Sequence, residues 1–111
     1  MQTTSIQNPS LTQNLSTSIA TILATPPSAT GSIVSGVTFA NKTGGTVTIQ
    51  FSVFNGTTDF YVAFNAPIAA GDSLVFGGEN LKLMLTNGFS LRALCNTASA
   101  VDVTVHYANF T

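Results

Sequence analysis

Between residues 47 and 107 the chain repeatedly alternates apolar and polar side chains with a period of two. Val47, Ile49, Phe51 and Val53 alternate with Thr48, Gln50 and Ser52. Only extended backbone sends every second side chain to the same face, so this pattern specifies a half-buried strand and cannot serve a helix. It returns in Phe60, Val62 and Phe64 against Asp59, Tyr61 and Ala63, and in Leu81, Leu83 and Leu85 against Lys82 and Met84. A fourth instance sets Val101, Val103, Val105 and Tyr107 inward against Asp102, Thr104 and His106.

Shorter candidates lie at residues 33–40, 74–76 and 89–95, the last with Phe89, Leu91, Ala93 and Cys95 inward. That gives seven strands, or eight if residues 19–24 form one. Gly44-Gly45, Asn55-Gly56, Gly71-Asp72, Gly77-Gly78 and Asn87-Gly88 fall between them, and these residue types accept the positive φ of tight turns. Short strands at regular spacing with turn signals between them predict an all-β fold, an antiparallel β-sandwich of the jelly-roll or immunoglobulin-like kind.

Residues 1–18 are rich in Ser, Thr, Gln and Asn, with isolated Ile6, Leu11 and Leu15. Residues 19–24 carry Ile19, Ile22 and Leu23, and Pro26-Pro27 then forbids helix continuation and removes ladder donors. We therefore expect an extended N-terminal arm and linker over residues 1–30, followed by a sandwich domain over 31–111. The start has no basic segment ahead of an apolar run, so no cleaved leader is expected.

Charge narrows the function. Charged residues make up 6% of the 111, against about 25% in an average soluble domain. Lys42, Lys82 and Arg92 are far apart, which argues against nucleic acid, where clustered basic residues must displace counterions from phosphates. The apolar run near residue 20 is too short to cross a membrane as a helix. A neutral surface is poorly suited to a solitary soluble protein and suits permanent assembly, with a homo-oligomer expected.

Candidate chemistry is sparse. His106 is the one histidine, and Asp102, four residues away on the same strand, stands about 13 Å off, too far to orient it. Zinc needs three or four ligands, and the chain offers one Cys and one His, so no metal, cofactor or catalytic residue is expected and the chain is read as a non-enzyme. Cys95 falls in the inward phase of its strand and reads as core filler. Asp59, Asp72 and Glu79 read as turn and edge residues, and four Asn-x-Ser/Thr triplets, at Asn14, Asn41, Asn55 and Asn109, carry no weight without a leader.

Surface contacts remain. Tyr61, Met84 and Leu94 take the outward phase, and a contiguous apolar patch with little charge to interrupt it marks an interface. The residues expected to make assembly contacts are Ile6, Leu11, Leu15, Ile19, Ile22 and Leu23 of the arm, with Tyr61, Met84 and Leu94 of the sandwich.

Three stretches carry a family resemblance: Ile33-Val34-Ser35-Gly36-Val37-Thr38-Phe39-Ala40-Asn41, Ala66-Pro67-Ile68-Ala69-Ala70-Gly71-Asp72-Ser73-Leu74, and Ser99-Ala100-Val101-Asp102-Val103-Thr104-Val105. Through them the segment from Ile33 onward resembles small virion structural proteins of tailed bacteriophages, cyanophages among them. The resemblance implies a β-sandwich that serves as a capsid decoration or cement protein, with a neck or tail component (collar or connector fibre) as the alternative. It implies the major capsid protein or other virion subunits as partners, and a place in a virion assembled in the host cytoplasm. A carbohydrate-binding adhesin module is the competing class, suggested by outward Tyr61 among many Asn and Thr.

Overall fold

The computed structural model describes residues 10–24, 31–77, 83–86 and 88–110. Among these are nine strands: β1 (Ser10–Asn14), β2 (Ala20–Ala24), β3 (Gly31–Asn41), β4 (Val47–Phe54), β5 (Asp59–Ile68), β6 (Ser73–Gly77), β7 (Leu83–Thr86), β8 (Ser90–Cys95) and β9 (Val101–Phe110). Their antiparallel pairings nest like those of one long hairpin. β4 and β5 form the innermost pair, then β3 with β6 and β7, then β2 with β8, and outermost β1 with β9. Rolling that hairpin lays β9 beside β3 and β8 beside β4.

Two sheets result, ordered β1-β9-β3-β6 with β7 also on β3, and β2-β8-β4-β5. This is a jelly roll, the first of the two sandwich types expected. Each strand has one apolar face, and rolling the hairpin brings all of those faces together in a single core.

The sandwich begins earlier than residue 31. Residues 10–24, expected in an arm, supply β1 and β2 as edge strands, one to each sheet. Leu15, Ile22 and Leu23, expected as docking residues, are instead 1, 1 and 4% exposed within the core. The isolated aliphatics of this stretch are spaced to fill one strand edge apiece, which a search for a broad apolar face overlooks. Ile6 and Pro26-Pro27 lie outside the described residues, as do Leu81, Lys82, Gly78, Glu79 and Asn87.

β-Bulges set the phase of several strands. In β2 the register passes from Thr21 opposite Arg92 to Leu23 opposite Leu91, so Ile22 is the extra residue and both it and Leu23 reach the core. In β3 the extra residue is Ser35, whose hydroxyl donates to the His106 carbonyl at 3.1 Å. The inward set therefore passes from Val34 to Val37 and Phe39, a shift that one inserted residue always produces.

Phe39 of β3, Phe51 of β4 and Phe76 of β6 meet in the core at centroid separations of 5.4, 6.0 and 5.5 Å, two of the three contacts edge-on. Asn41, at the end of β3, holds the crossover between the sheets. Its buried amide donates to the carbonyls of Gly45, Ile68 and Ala69 at 2.8, 3.0 and 3.2 Å. Its carbonyl oxygen accepts from the Thr43 amide and hydroxyl at 3.0 and 2.7 Å. An acceptor triplet so enclosed cannot receive a glycan.

Replacing Asn41 with Ala strips partners from these buried carbonyls and from the Thr43 amide. The expected cost is about 2–3 kcal/mol, seen as a fall in Tm on the order of 10 °C in thermal unfolding.

Candidate assembly surface

β5 is an edge strand of its sheet among the described residues, and it departs most from simple alternation. Its register against β4 shifts twice, from Ile49 opposite Ala66 to Phe51 opposite Ala63, and then to Ser52 opposite Tyr61. Asn65, next to the first shift, has φ of 52°, a left-handed conformation that Asn tolerates better than most residues. The inward places go to Ala63, Ala66 and Ile68. Phe60, Val62 and Phe64, expected inside, are 57, 38 and 60% exposed.

With Tyr61, also exposed, they make a run of four large apolar side chains on an edge strand. Tyr61 and Phe64 stack edge to face at 4.9 Å. From Phe60 to Gly71 no residue carries a charge. An edge of this kind is a template for association, because unpaired backbone groups and apolar side chains are offered together.

Beside the strand the charges are mutually neutralised. Arg92 Nη2 meets Asp59 Oδ2 at 2.9 Å, with both side chains largely covered. The Ser52 hydroxyl donates to Asp59 Oδ1 at 2.9 Å, and the guanidinium lies 4.1 Å from the Phe54 ring centroid. Asp59, read from sequence as a turn residue, is thus the anchor of a cation that covers part of the outer sheet face.

The sequence-predicted contact residues are not brought together. Leu94 is half-buried opposite Gln50, on the sheet that carries Tyr61. Met84 is exposed on the other sheet, opposite Ile33, which is exposed as well. Ile19 is half-buried between β1 and β2, and Leu11 pairs with Val105 in the β1–β9 ladder. What sequence reasoning missed is the Phe60, Val62 and Phe64 cluster, and the available signal was Asn65 followed closely by Pro67 inside an otherwise regular strand.

The groups weighed for chemistry have other partners. Phe89, expected inside, lies just before β8 and is exposed, while Leu91, Ala93 and Cys95 fill the core as their phase requires. Cys95 is enclosed, its thiol 2.9 Å from the Thr97 carbonyl oxygen. Asp102 Oδ1 receives the Asn14 amide at 2.9 Å and lies 3.3 Å from Lys42 Nζ. The Asn14 hydrogen bond, helped by Lys42 and opposed by burial, holds this carboxyl below its ordinary pKa. No group of three or more His, Cys, Asp or Glu suited to a metal occurs among the described residues, and no helix there is long and apolar enough to cross a membrane.

No protein-family model matches the chain, and no curated protein sequence does. Solved structures do. A chain from Bacillus endospore appendages, described as a novel family of disulfide-linked pili, aligns over 99% of this chain and 88% of its own with 21% identity and a TM-score of 0.55. At that identity what the two share is the fold. A pentameric capsid protein from metagenomic phage sequences aligns over 90% of this chain and 58% of its own, with 20% identity and a TM-score of 0.45. A chain of the cyanophage Pam1 capsid asymmetric unit aligns over 98% and 85%, with 21% identity and a TM-score of 0.46.

Two outcomes check this geometry. An acid whose folded-state pKa is depressed stabilises the fold above its unfolded value, about 3.9, and that contribution disappears as pH falls through the folded value. The denaturant midpoint of the wild type should exceed that of Asp102→Asn at neutral pH, and the gap should close below about pH 4. The Cys95 thiol should stay unreactive toward an aromatic disulfide reagent in the native protein and react only at the rate of global unfolding.

Proposed function

We propose that this chain is a virion structural protein, a capsid decoration or cement protein that binds the outer capsid surface and stabilises the head. The observation that carries the reading is the β5 edge, where Phe60, Tyr61, Val62 and Phe64 stand exposed in a stretch without charge. A protein with 6% charged residues and such an edge gains by being held against other subunits, which cover the apolar run and relieve the need for surface charge. The resemblance of the segment from Ile33 onward to small tailed-phage virion proteins supports the same reading, and no catalytic step is part of it.

Tyr61 belongs to this contact, and Leu94, on the same sheet, flanks it. Met84, on the opposite sheet beside Ile33, then serves a second contact, so that one subunit bridges two neighbours, either copies of itself or the major capsid protein. Bridging multiplies weak contacts into firm attachment. The disulfide-linked polymerisation named for the endospore appendages does not transfer. One cysteine per chain allows at most one such link, enough for a dimer but not a filament, and Cys95 is enclosed.

Capsids stripped of the protein should regain resistance to heat and osmotic shock when it is added back. Phe60→Asp and Phe64→Asp alter side chains already more than half exposed, so folding should survive. Each should weaken capsid binding at least about tenfold in a co-sedimentation assay, since burying the exposed part of one Phe contributes on the order of 1–2 kcal/mol. Unchanged binding of both variants would refute the role of β5. Recovery of only a few copies per virion would favour a neck or tail position over decoration.

A further inference from the structure

We infer that the outer face of the β1–β9 ladder holds a binding site for a neutral polyhydroxyl ligand, a saccharide, lined by Thr12, Gln13, Asn14, Asp102 and Thr104. These residues border an open cavity of about 420 Å³, within the range of about 300–1,000 Å³ that small-ligand pockets occupy. The ladder register sets Thr12 opposite Thr104 and Asn14 opposite Asp102, which gathers four polar side chains into one square on one face. Gln13, which also borders the cavity, stands opposite the buried Val103 and so takes the other phase of β1.

Several of these groups are uncommitted. The two contacts to Asp102, from Asn14 and Lys42, both fall on Oδ1. Asp102 Oδ2, the Thr12 and Thr104 hydroxyls and the Gln13 carboxamide make no hydrogen bond to any described residue. Asn14 is committed: its amide also reaches the carbonyls of Ser99 and Val101, both at 3.3 Å, and so fixes the carboxylate that borders the cavity. The result is a positioned acceptor beside two hydroxyls that donate and accept.

That set selects a ligand class. An anion would meet the Asp102 carboxylate, and a divalent cation would find one carboxylate whose charge Lys42 already offsets. An apolar ligand would find no aromatic or aliphatic side chain in the lining. Vicinal sugar hydroxyls, each both donor and acceptor, match it, with Asp102 Oδ2 and the Thr12 and Thr104 hydroxyls meeting neighbouring hydroxyls. Without an aromatic ring to stack on, one site should bind with a Kd near 1 mM, about −4 kcal/mol. An assembly of many copies would raise this through avidity. The site is on the sheet that does not contain β5, and the inference stands apart from the proposed capsid role.

The test is a titration of the isotopically labelled chain with glucose, galactose, mannose and N-acetylglucosamine, their short oligomers and their sulfated forms, read by amide chemical shifts. At least one sugar should give saturable shifts confined to residues 12–14 and 102–104. Thr104→Val, which keeps a β-branched strand residue, and Asp102→Asn should each raise Kd at least about tenfold without disturbing the other signals. The inference is overturned by the absence of saturable shifts across the panel, or by shifts that Thr104→Val leaves unchanged. It is equally overturned if only sulfated sugars bind and Lys42→Ala abolishes the effect, which would mark a simple charge contact.

Discussion

The contact between Phe39 and Phe51 joins the central strands of the two sheets across their shared interior. β3 and β4 are consecutive in the chain, so the passage from one sheet to the other must be completed within a few residues of Phe39. Asn41 makes this geometry specific. Its amide and carbonyl bind backbone from the crossover and from the end of β5, and its own N–H donates to the Asp72 carbonyl at 2.9 Å. An apolar residue there would fill the space but leave these carbonyls without partners, at a cost typical of buried polar groups. The remaining strands add outward from this pair.

Two edges of the roll carry opposite chemistry. β5 presents aromatic and aliphatic side chains with its nearby charges paired off, while β1 and β9 present hydroxyls, carboxamides and one positioned carboxylate. The first edge has apolar surface to bury and the second has hydrogen-bonding groups to satisfy. Low overall charge sharpens the difference, because neither face is dominated by long-range electrostatics.

Much of the sheet structure was legible from local patterning. The alternations at residues 47–53 and 101–107 gave the right strands and the right faces, and Cys95 was correctly placed inside. The turn signals also held where backbone demanded them, with Gly56, Gly71 and Gly88 at positive φ. On β5 a strict period of two fails across two bulges: one extra residue takes Phe64 out of the inward phase, and the second restores that phase by Phe60, which stands opposite Val53 and is exposed on the edge strand. The polar cavity was invisible for a different reason: Asn14 and Asp102 are neighbours only through a ladder between the two ends of the described chain.

The sequence by itself determined that this chain forms strands, where most of them lie and that their common apolar face must be buried, because alternation and turn propensity are properties of neighbouring residues. It also determined the scarcity of charge. Only the tertiary structure decided that residues 10–24 close the roll, that the fold is a jelly roll, and that Phe60, Val62 and Phe64 stand exposed. Those outcomes depend on strand partners many residues apart and on bulges whose positions are set by fitting one register against another, and neither is encoded in any single stretch of the chain.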